Sequence, residues 1–371
     1  MTALAAVAAG AAALSLVLLA FNLAVFRALR PSAGSREWPR VSVVIPARDE
    51  ERALEATLRA HRASDYPDME VVVVDDRSSD RTGEIARRFA ASDPRFLAIE
   101  GSEPPPGWLG KPHALWQGAR AASGSWLLFA DADVAYGPDV LRRAVARAED
   151  GRLSLLCLFP RFVTRGFWEG VAIPNLYATL YLGPGVLTQV DAFPAFAGGS
   201  GSGNLVERGS YEASGGHAAL RATVIDDIGL AAQLKRAGFR TRAATAYDGV
   251  SVRIYRGLAE IVEGFSKNVA FIASPLVALI LPLAIFVLAW APYVVLAVPA
   301  SPGARRLAGA AIAATLLGRT IVSRVTRAPM WSGLFHPLMV AVWTWIAMRS
   351  WHRRMFLREV RWRGRVTGTP P

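Results

Sequence analysis

The chain has 371 residues, 52% of them hydrophobic, and its 42 lysines and arginines against 30 acidic residues give a net charge of +12. That length accommodates one folded domain plus membrane segments. The arginines flank apolar runs (Arg27, Arg30, Arg36 and Arg40; Arg349, Arg353, Arg354 and Arg358), which points to a membrane surface and away from nucleic acid, and the single cysteine, Cys157, excludes an internal disulfide.

Residues 3–26 are apolar, uncharged and long enough to span a bilayer. No basic residue precedes them, and Arg27 and Arg30 follow. The segment therefore reads as an uncleaved anchor, with its N-terminus outside and the next domain in the cytoplasm of a cell whose plasma membrane the chain crosses more than once. Residues 31–40 read as a polar linker. Val41–Pro46 reads as a buried strand, Asp49–Ala63 as a helix capped by Asp49, Glu70–Val74 as a second strand and Ser79–Phe89 as a second helix. Ser125–Ala130 reads as a later strand, Asp139–Glu149 as a helix and Leu153–Phe159 as another strand. Cys157 lies in that last apolar run and reads as a buried thiol, not a nucleophile. Strands alternating with helices predict an α/β fold, a mostly parallel sheet with helices on both faces.

Residues 166–190 carry an apolar and aromatic stripe interrupted by Pro174, which fits an amphipathic helix in the membrane interface; an ordinary core helix is the alternative. Residues 197–216 are rich in glycine and serine, and residues 225–238 read as a helix beginning at an acidic pair. Residues 269–298 and 331–348 read as spans, with 307–323 placed below them because Arg319 lies inside. Two C-terminal spans plus a re-entrant or surface segment keep the basic tail, 350–371, on the cytoplasmic side. The division is thus an anchor to residue 30, a linker, a catalytic domain over 41–268, a membrane region over 269–349 and the tail.

Two acidic pairs end strand-length apolar runs: Asp75-Asp76 after four valines, and Asp131-Ala132-Asp133 after Trp126–Ala130. Carboxylates there project from the C-terminal edge of a parallel sheet, where open α/β folds bind ligands. Asp75 and Asp76 suit ribose hydroxyls or a base N–H, with turn formation and helix capping as the alternative. Pro46, Arg48 and Glu50 make a rim beside them. Asp131 and Asp133 fall on one side of an extended segment and offer oxygen ligands to Mg2+ or Mn2+, which bridge to substrate phosphates. Lys111, on a glycine-containing loop, reads as a point charge for a phosphate, and His113 and His217 read as structural. Asp226-Asp227 start a helix, so capping accounts for one carboxylate and leaves the other free as a general base. Gly199 and Ser200 read either as space beside a donor sugar or as a plain loop. Arg253, Arg256 and Lys267, with Asn268, read either as a clamp on a diphosphate or lipid head group or as a positive-inside flank. Together these features point to a sugar-nucleotide enzyme at a membrane surface.

Over about residues 40–268 the chain resembles family 2 glycosyltransferases of GT-A fold, on Val41–Glu51, Val71–Asp80, Asp131–Asp133, Gly215–His217 and Asp226–Asp227. Gly110–Ala114, Phe167–Gly170, Arg253–Arg256, Gly264–Asn268 and Arg361–Arg365 resemble the membrane-anchored bacterial subgroup of carotenoid-acid (diaponeurosporenoate-type) and hopanoid-associated enzymes. The resemblance implies that Asp75 and Asp76 hold the nucleoside, that Asp131 and Asp133 bind metal and diphosphate, and that Asp227 is the base of an inverting transfer. It implies a UDP-hexose donor and an isoprenoid or other lipid acceptor. Transfer to polyprenyl phosphate is the second enzymatic reading, and an inactive scaffold or transporter the reading from another class. Two departures stand out: Arg77 replaces the glycine usual after the aspartates, and the Gln-x-x-Arg-Trp motif of polymerising synthases is absent after Asp227. The second departure favours a single transfer.

Overall fold

The computed structural model describes residues 1–30, 37–267, 275–357, 359–362 and 365–368. Asn268, the start of the expected span 269–298 and parts of the linker and tail lie outside the described residues. Ten strands of the globular part run in chain order as β1 (Val41–Ala47), β2 (Met69–Asp75), β3 (Phe96–Glu100), β4 (Trp126–Phe129), β5 (Val134–Tyr136), β6 (Leu155–Phe159), β7 (Arg161–Phe162), β8 (Asn204–Glu207), β9 (Thr241–Thr245) and β10 (Val250–Val252). Seven of them form one sheet in the order β3-β2-β1-β4-β8-β6-β9, in which only β8 runs antiparallel to its neighbours. β5, β10 and β7 make a small second sheet.

The helices are α1 (Thr2–Val25), α2 (Leu54–Arg62), α3 (Thr82–Ser92), α4 (Gly110–Ala121), α5 (Val140–Asp150), α6 (Phe167–Ala172), α7 (Asn175–Leu182), α8 (Arg208–Ala213), α9 (Gly216–Ala219), α10 (Asp226–Arg236), α11 (Gly257–Ser266), α12 (Pro275–Ala297), α13 (Pro302–Thr326) and α14 (His336–His352). Side-chain alternation along β1 builds two cores. Val41, Val43 and Ile45 face Leu54, Leu58, Ile85 and Val140 on one side, while Val44 faces Leu115, Leu127, Phe129 and Leu230 on the other. The expected α/β architecture is the one observed.

Several local expectations change. The first helix starts at Leu54, and Asp49 does not cap it: Asp49 is left-handed (φ 50°), and its Oδ1 accepts from the Ser79 N–H at 2.8 Å. A left-handed residue cannot continue a helix. Lys111 lies in the first turn of α4 instead of on a loop; Pro112 is tolerated there because the first N–H groups of a helix need no intrahelical partner. Residues 204–207, inside the stretch read only as rich in glycine and serine, form a central strand of the sheet.

Residues 166–190 are a broken element, α6 and α7 with Pro174 between them, then a 3-10 turn over Gly185–Gln189. One side is core: Tyr177 and Tyr181 pack with Phe159 and Tyr247. The other meets the apolar helices, where the Asn22 side chain donates to the carbonyls of Tyr181 (2.8 Å) and Gly183 (2.9 Å). The segment is therefore a wedge between the α/β layers and the apolar helices.

Three helices among the described residues are long and apolar enough to cross a membrane: Thr2–Val25, Leu276–Ala297 and Pro302–Thr326. The last includes Arg319, and the expected span 331–348 is instead a 3-10 turn followed by α14. Small residues form the seams, with Ala5 against Ala304 and Ala308 and Ala8 against Ala291 and Ala311. Leu16 meets Gly318 farther along. α1 and α13 therefore run parallel, and α12 runs antiparallel to both.

Candidate active site

Because β1, β2 and β4 are parallel and in register, Ala47, Asp75 and Phe129 end at one edge of the sheet. Asp75 Oδ1 accepts from the Ser78 N–H at 3.1 Å. Asp76 is buried; its N–H donates to the Ala47 carbonyl at 2.8 Å, and its carboxylate lies 3.5 Å from Arg48 Nη1 and 3.7 Å from Arg77 Nε. Glu50 is tied to the start of α3 by its N–H, which donates to Thr82 Oγ1 at 2.7 Å, and Pro46 is the next-to-last residue of β1 at this edge. Arg77 holds φ 55°, a left-handed conformation costly for a side-chain residue. Its N–H donates to the Asp75 carbonyl at 2.7 Å, so the tight turn is retained without glycine.

The second acidic run leaves β4 along the same edge. The Asp131 N–H donates to the Gly201 carbonyl at 2.7 Å. Its carboxylate stands over Gly201, where an added Cβ would come within 2.2 Å of Oδ2. Lys111 Nζ lies 2.8 Å from Asp131 Oδ1 and 3.5 Å from Asp226 Oδ1, and so joins two carboxylates far apart in sequence. Burial works against the Lys111 ammonium, but Asp131, Asp226 and Asp227 outweigh it and hold its pKa well above the ordinary lysine value. Burial pushes Asp226 up to about 6; the pull of Lys111 is opposed by Asp227 and Asp131. Burial, then repulsion from Asp131 and Glu50, pushes Asp133 up to about 7.

Asp227 begins α10 beside Asp226. Its Oδ1 accepts from the Ile228 N–H at 2.8 Å, and its main-chain carbonyl accepts from Asn204 Nδ2 at 3.0 Å. Asn204 Oδ1 in turn accepts from the Ser200 N–H at 3.3 Å. Asn204 thus ties the Gly199–Ser200 segment to the end of the acidic pair, and nothing in its sequence surroundings marks it. Gly199 is required here, since an added Cβ would stand 2.3 Å from the Asp227 carbonyl oxygen.

The resulting cleft is lined by Lys111, Asp131, Ser200, Asn204, Asp226 and Asp227, with His217 behind them. His217 is buried, Nδ1 lies 3.0 Å from the Tyr211 hydroxyl, and burial pushes its pKa down to about 3. It is a neutral packing residue. His113 is likewise buried, with Nδ1 3.1 Å from Gln117 Nε2.

Three residues of the basic cluster stand elsewhere. Arg253 donates to Glu169 at 2.8 and 3.1 Å, Arg256 is exposed at the start of α11, and Lys267 follows the end of α11. Among the described residues no group of three His, Cys, Asp or Glu side chains is gathered as a ready metal site. Asp131 and Asp133 nonetheless fit a hard divalent cation. They are an all-oxygen pair whose mutual repulsion is relieved by a cation, with the remaining ligands coming from phosphate and water.

A parallel sheet with one reversed strand, carrying acidic runs at one edge, is the GT-A arrangement of sugar transferases. Residues 42–215 match the family described as Glycosyl transferase family 2, and this region is a family 2 glycosyltransferase domain. Over 337 residues the chain is 26% identical to 4,4'-diaponeurosporenoate glycosyltransferase of Staphylococcus aureus, covering 88% of this chain and 87% of that one. A mannosyltransferase from Pyrobaculum calidifontis, solved in complex with GDP-Man and Mn2+, is 24% identical and superposes over 96% of this chain and 98% of its own with a TM-score of 0.57. That likeness establishes the GT-A fold.

Proposed function

We propose that the protein is an inverting, non-processive glycosyltransferase that moves a hexose from UDP-hexose to the hydroxyl of a lipid or isoprenoid in the bilayer. The observation that carries this reading is the junction of Asp131, Lys111 and Asp226 beside Asp227, at the edge where the Asp75-Asp76 strand also ends. Asp75 and Asp76, with Pro46, Arg48 and Glu50, hold the nucleoside end. Asp131 and Asp133 would hold Mg2+ or Mn2+, which supplies positive charge to the departing diphosphate. Lys111 adds a fixed cation at the same place and orients Asp131 and Asp226. Asp227 takes the acceptor proton as the acceptor oxygen bonds to the anomeric carbon from the face opposite the leaving UDP; that bond forms, the carbon–phosphate-oxygen bond breaks, and the configuration inverts.

The domain boundaries at 41–268, the cytoplasmic placement and the multi-pass topology belong to the same reading. α1 and α13 run parallel and both end toward the α/β layers, so an odd number of crossings puts the domain and the basic tail on one side. The wedge 166–190 borders the bilayer, and lipid reaches the cleft past it. The Staphylococcus relative's name specifies a carboxylate acceptor. A carboxylate is already ionised at neutral pH and needs no base, whereas an alcohol does. The retained Asp226-Asp227 pair supports a hydroxyl acceptor.

Full-length protein in lipid nanodiscs, given UDP-hexose, Mg2+ or Mn2+ and either a long-chain alcohol or the matching acid, tests this. Asp227→Asn is expected to abolish glycoside formation while sparing glycosyl ester formation. Alcohol transfer surviving in that variant refutes the base assignment. Mass spectrometry of lipids from cells with and without the protein then identifies the acceptor.

A further inference from the structure

Arg319 is the largest fully buried side chain among the described residues, 2% exposed. It lies in α13, seven residues before the helix ends at Thr326. Among the described residues neither Nη1 nor Nη2 has a hydrogen-bond partner. A guanidinium does not shed its proton at physiological pH, so the position holds a positive charge without compensation. An ionisable group at such depth in an apolar helix marks a site of function.

The neighbourhood is polar. Ser323, one turn along α13, lies 3.3 Å from Ser332, hydroxyl to hydroxyl, and both are buried. His336 lies close enough to feel the charge of Arg319, and its Nδ1 is also buried with no partner among the described residues. Gly333 lies so close that an added Cβ would stand 3.2 Å from Arg319 Cβ. The turn Met330–Phe335 therefore packs as a cover against Arg319 at its Cβ. Its outer side chains, Met330, Trp331, Leu334 and Phe335, are exposed and apolar, a surface suited to acyl chains.

The missing countercharge does not come from this part of the chain. No aspartate or glutamate occurs in residues 1–36 or 264–358, the described and undescribed residues alike. Glu263, the acid nearest α12 in sequence, is taken by Arg349 and Arg353, and Glu169 in the adjoining wedge is taken by Arg253. Among the described residues the two guanidinium nitrogens and His336 Nδ1 thus have no hydrogen-bond partner, and the flanking segments of the chain carry only basic and neutral side chains.

We propose that Arg319, with His336 and the Ser323–Ser332 pair, is a binding site for the oxyanion of a membrane lipid, a phosphate or a carboxylate, reached by displacement of the 330–335 cover. Guanidinium binds such groups through paired N–H donors, and here it meets them where water is scarce. The site needs α13 to lie in a bilayer; it does not depend on the glycosyl transfer reading.

The test uses the full chain in nanodiscs of phosphatidylcholine alone, with added phosphatidylglycerol, or with added oleate. Thermal midpoints and native mass spectra are recorded for wild type, Arg319→Met and Arg319→Lys. Wild type is expected to gain several degrees from an anionic lipid and to retain one such molecule on release; the phosphatidylglycerol and oleate arms distinguish phosphate from carboxylate. Arg319→Met is expected to lose both effects, while matching or exceeding wild type in neutral lipid because it sheds an uncompensated charge. Arg319→Lys keeps a partial effect and serves as the readout if the methionine variant does not fold. Equal wild-type midpoints in neutral and anionic discs, or an undiminished gain in Arg319→Met, overturn the proposal.

Discussion

Glu169 offers the sharpest test of how the small sheet is tied to α6 and α11. It is 2% exposed and accepts from the Arg165 N–H at 2.9 Å, the Gly257 N–H at 3.3 Å and Arg253 at 2.8 and 3.1 Å. These contacts join α6 to β10 and to the start of α11. The Arg253 hydrogen bonds, then the two backbone N–H groups, outweigh burial and hold the Glu169 carboxyl down at about 2, from an ordinary 4.5. That difference corresponds to about 3 kcal/mol of stability at neutral pH, which solvent screening at the edge of the domain reduces to about 2 kcal/mol. Glu169→Gln removes the charge and turns an amide N–H2 toward the guanidinium. For a domain of this size the thermal midpoint is expected to fall by about 4–8 °C. The folded carboxyl titrates below the unfolded one, so its contribution is complete above pH 4.5 and disappears as the pH falls toward 2. Thermal scans of both proteins in detergent should therefore show a constant gap from neutral pH down to about pH 5, narrowing below it. A gap under one degree, or one that persists unchanged through the acid range, refutes the reasoning.

Two further substitutions probe the cleft. Lys111→Ala removes the cation between Asp131 and Asp226 and should lower turnover about 100-fold, the scale for loss of one fixed electrostatic donor; steady-state kinetics within a few-fold of wild type would count against its role. Gly199→Ala forces a methyl against the Asp227 carbonyl and should displace α10, lowering turnover by about 100-fold for a shift near 1 Å and lowering the thermal midpoint by several degrees. Unchanged kinetics in that variant would show that the cleft tolerates a moved Asp227.

Much of the sheet edge is legible from the residues alone. Four valines before Asp75 and the apolar run before Asp131 make strands whose ends carry carboxylates, and a buried parallel strand is continuous in its hydrophobicity. The 3.6-residue spacing likewise marks α3, α5 and α10. α4 and β8 were hidden for a local reason. Gly110 and Pro112 punctuate a chain as a loop does, and β8 follows a glycine-serine stretch. Both elements are held by packing against β1 and β4, a tertiary effect that overrides propensity.

Element alternation, the apolar helices and the residue types that chemistry needs are readable along the chain, because hydrophobic period and strand-end carboxylates are properties of neighbouring residues. Which charges meet was settled by contacts between distant segments of the fold. They set Lys111 between Asp131 and Asp226, gave Arg253 to Glu169 and left Arg319 buried with no acid partner among the described residues. Charge pairing depends on a few ångströms between segments far apart in sequence, and no local pattern encodes that distance.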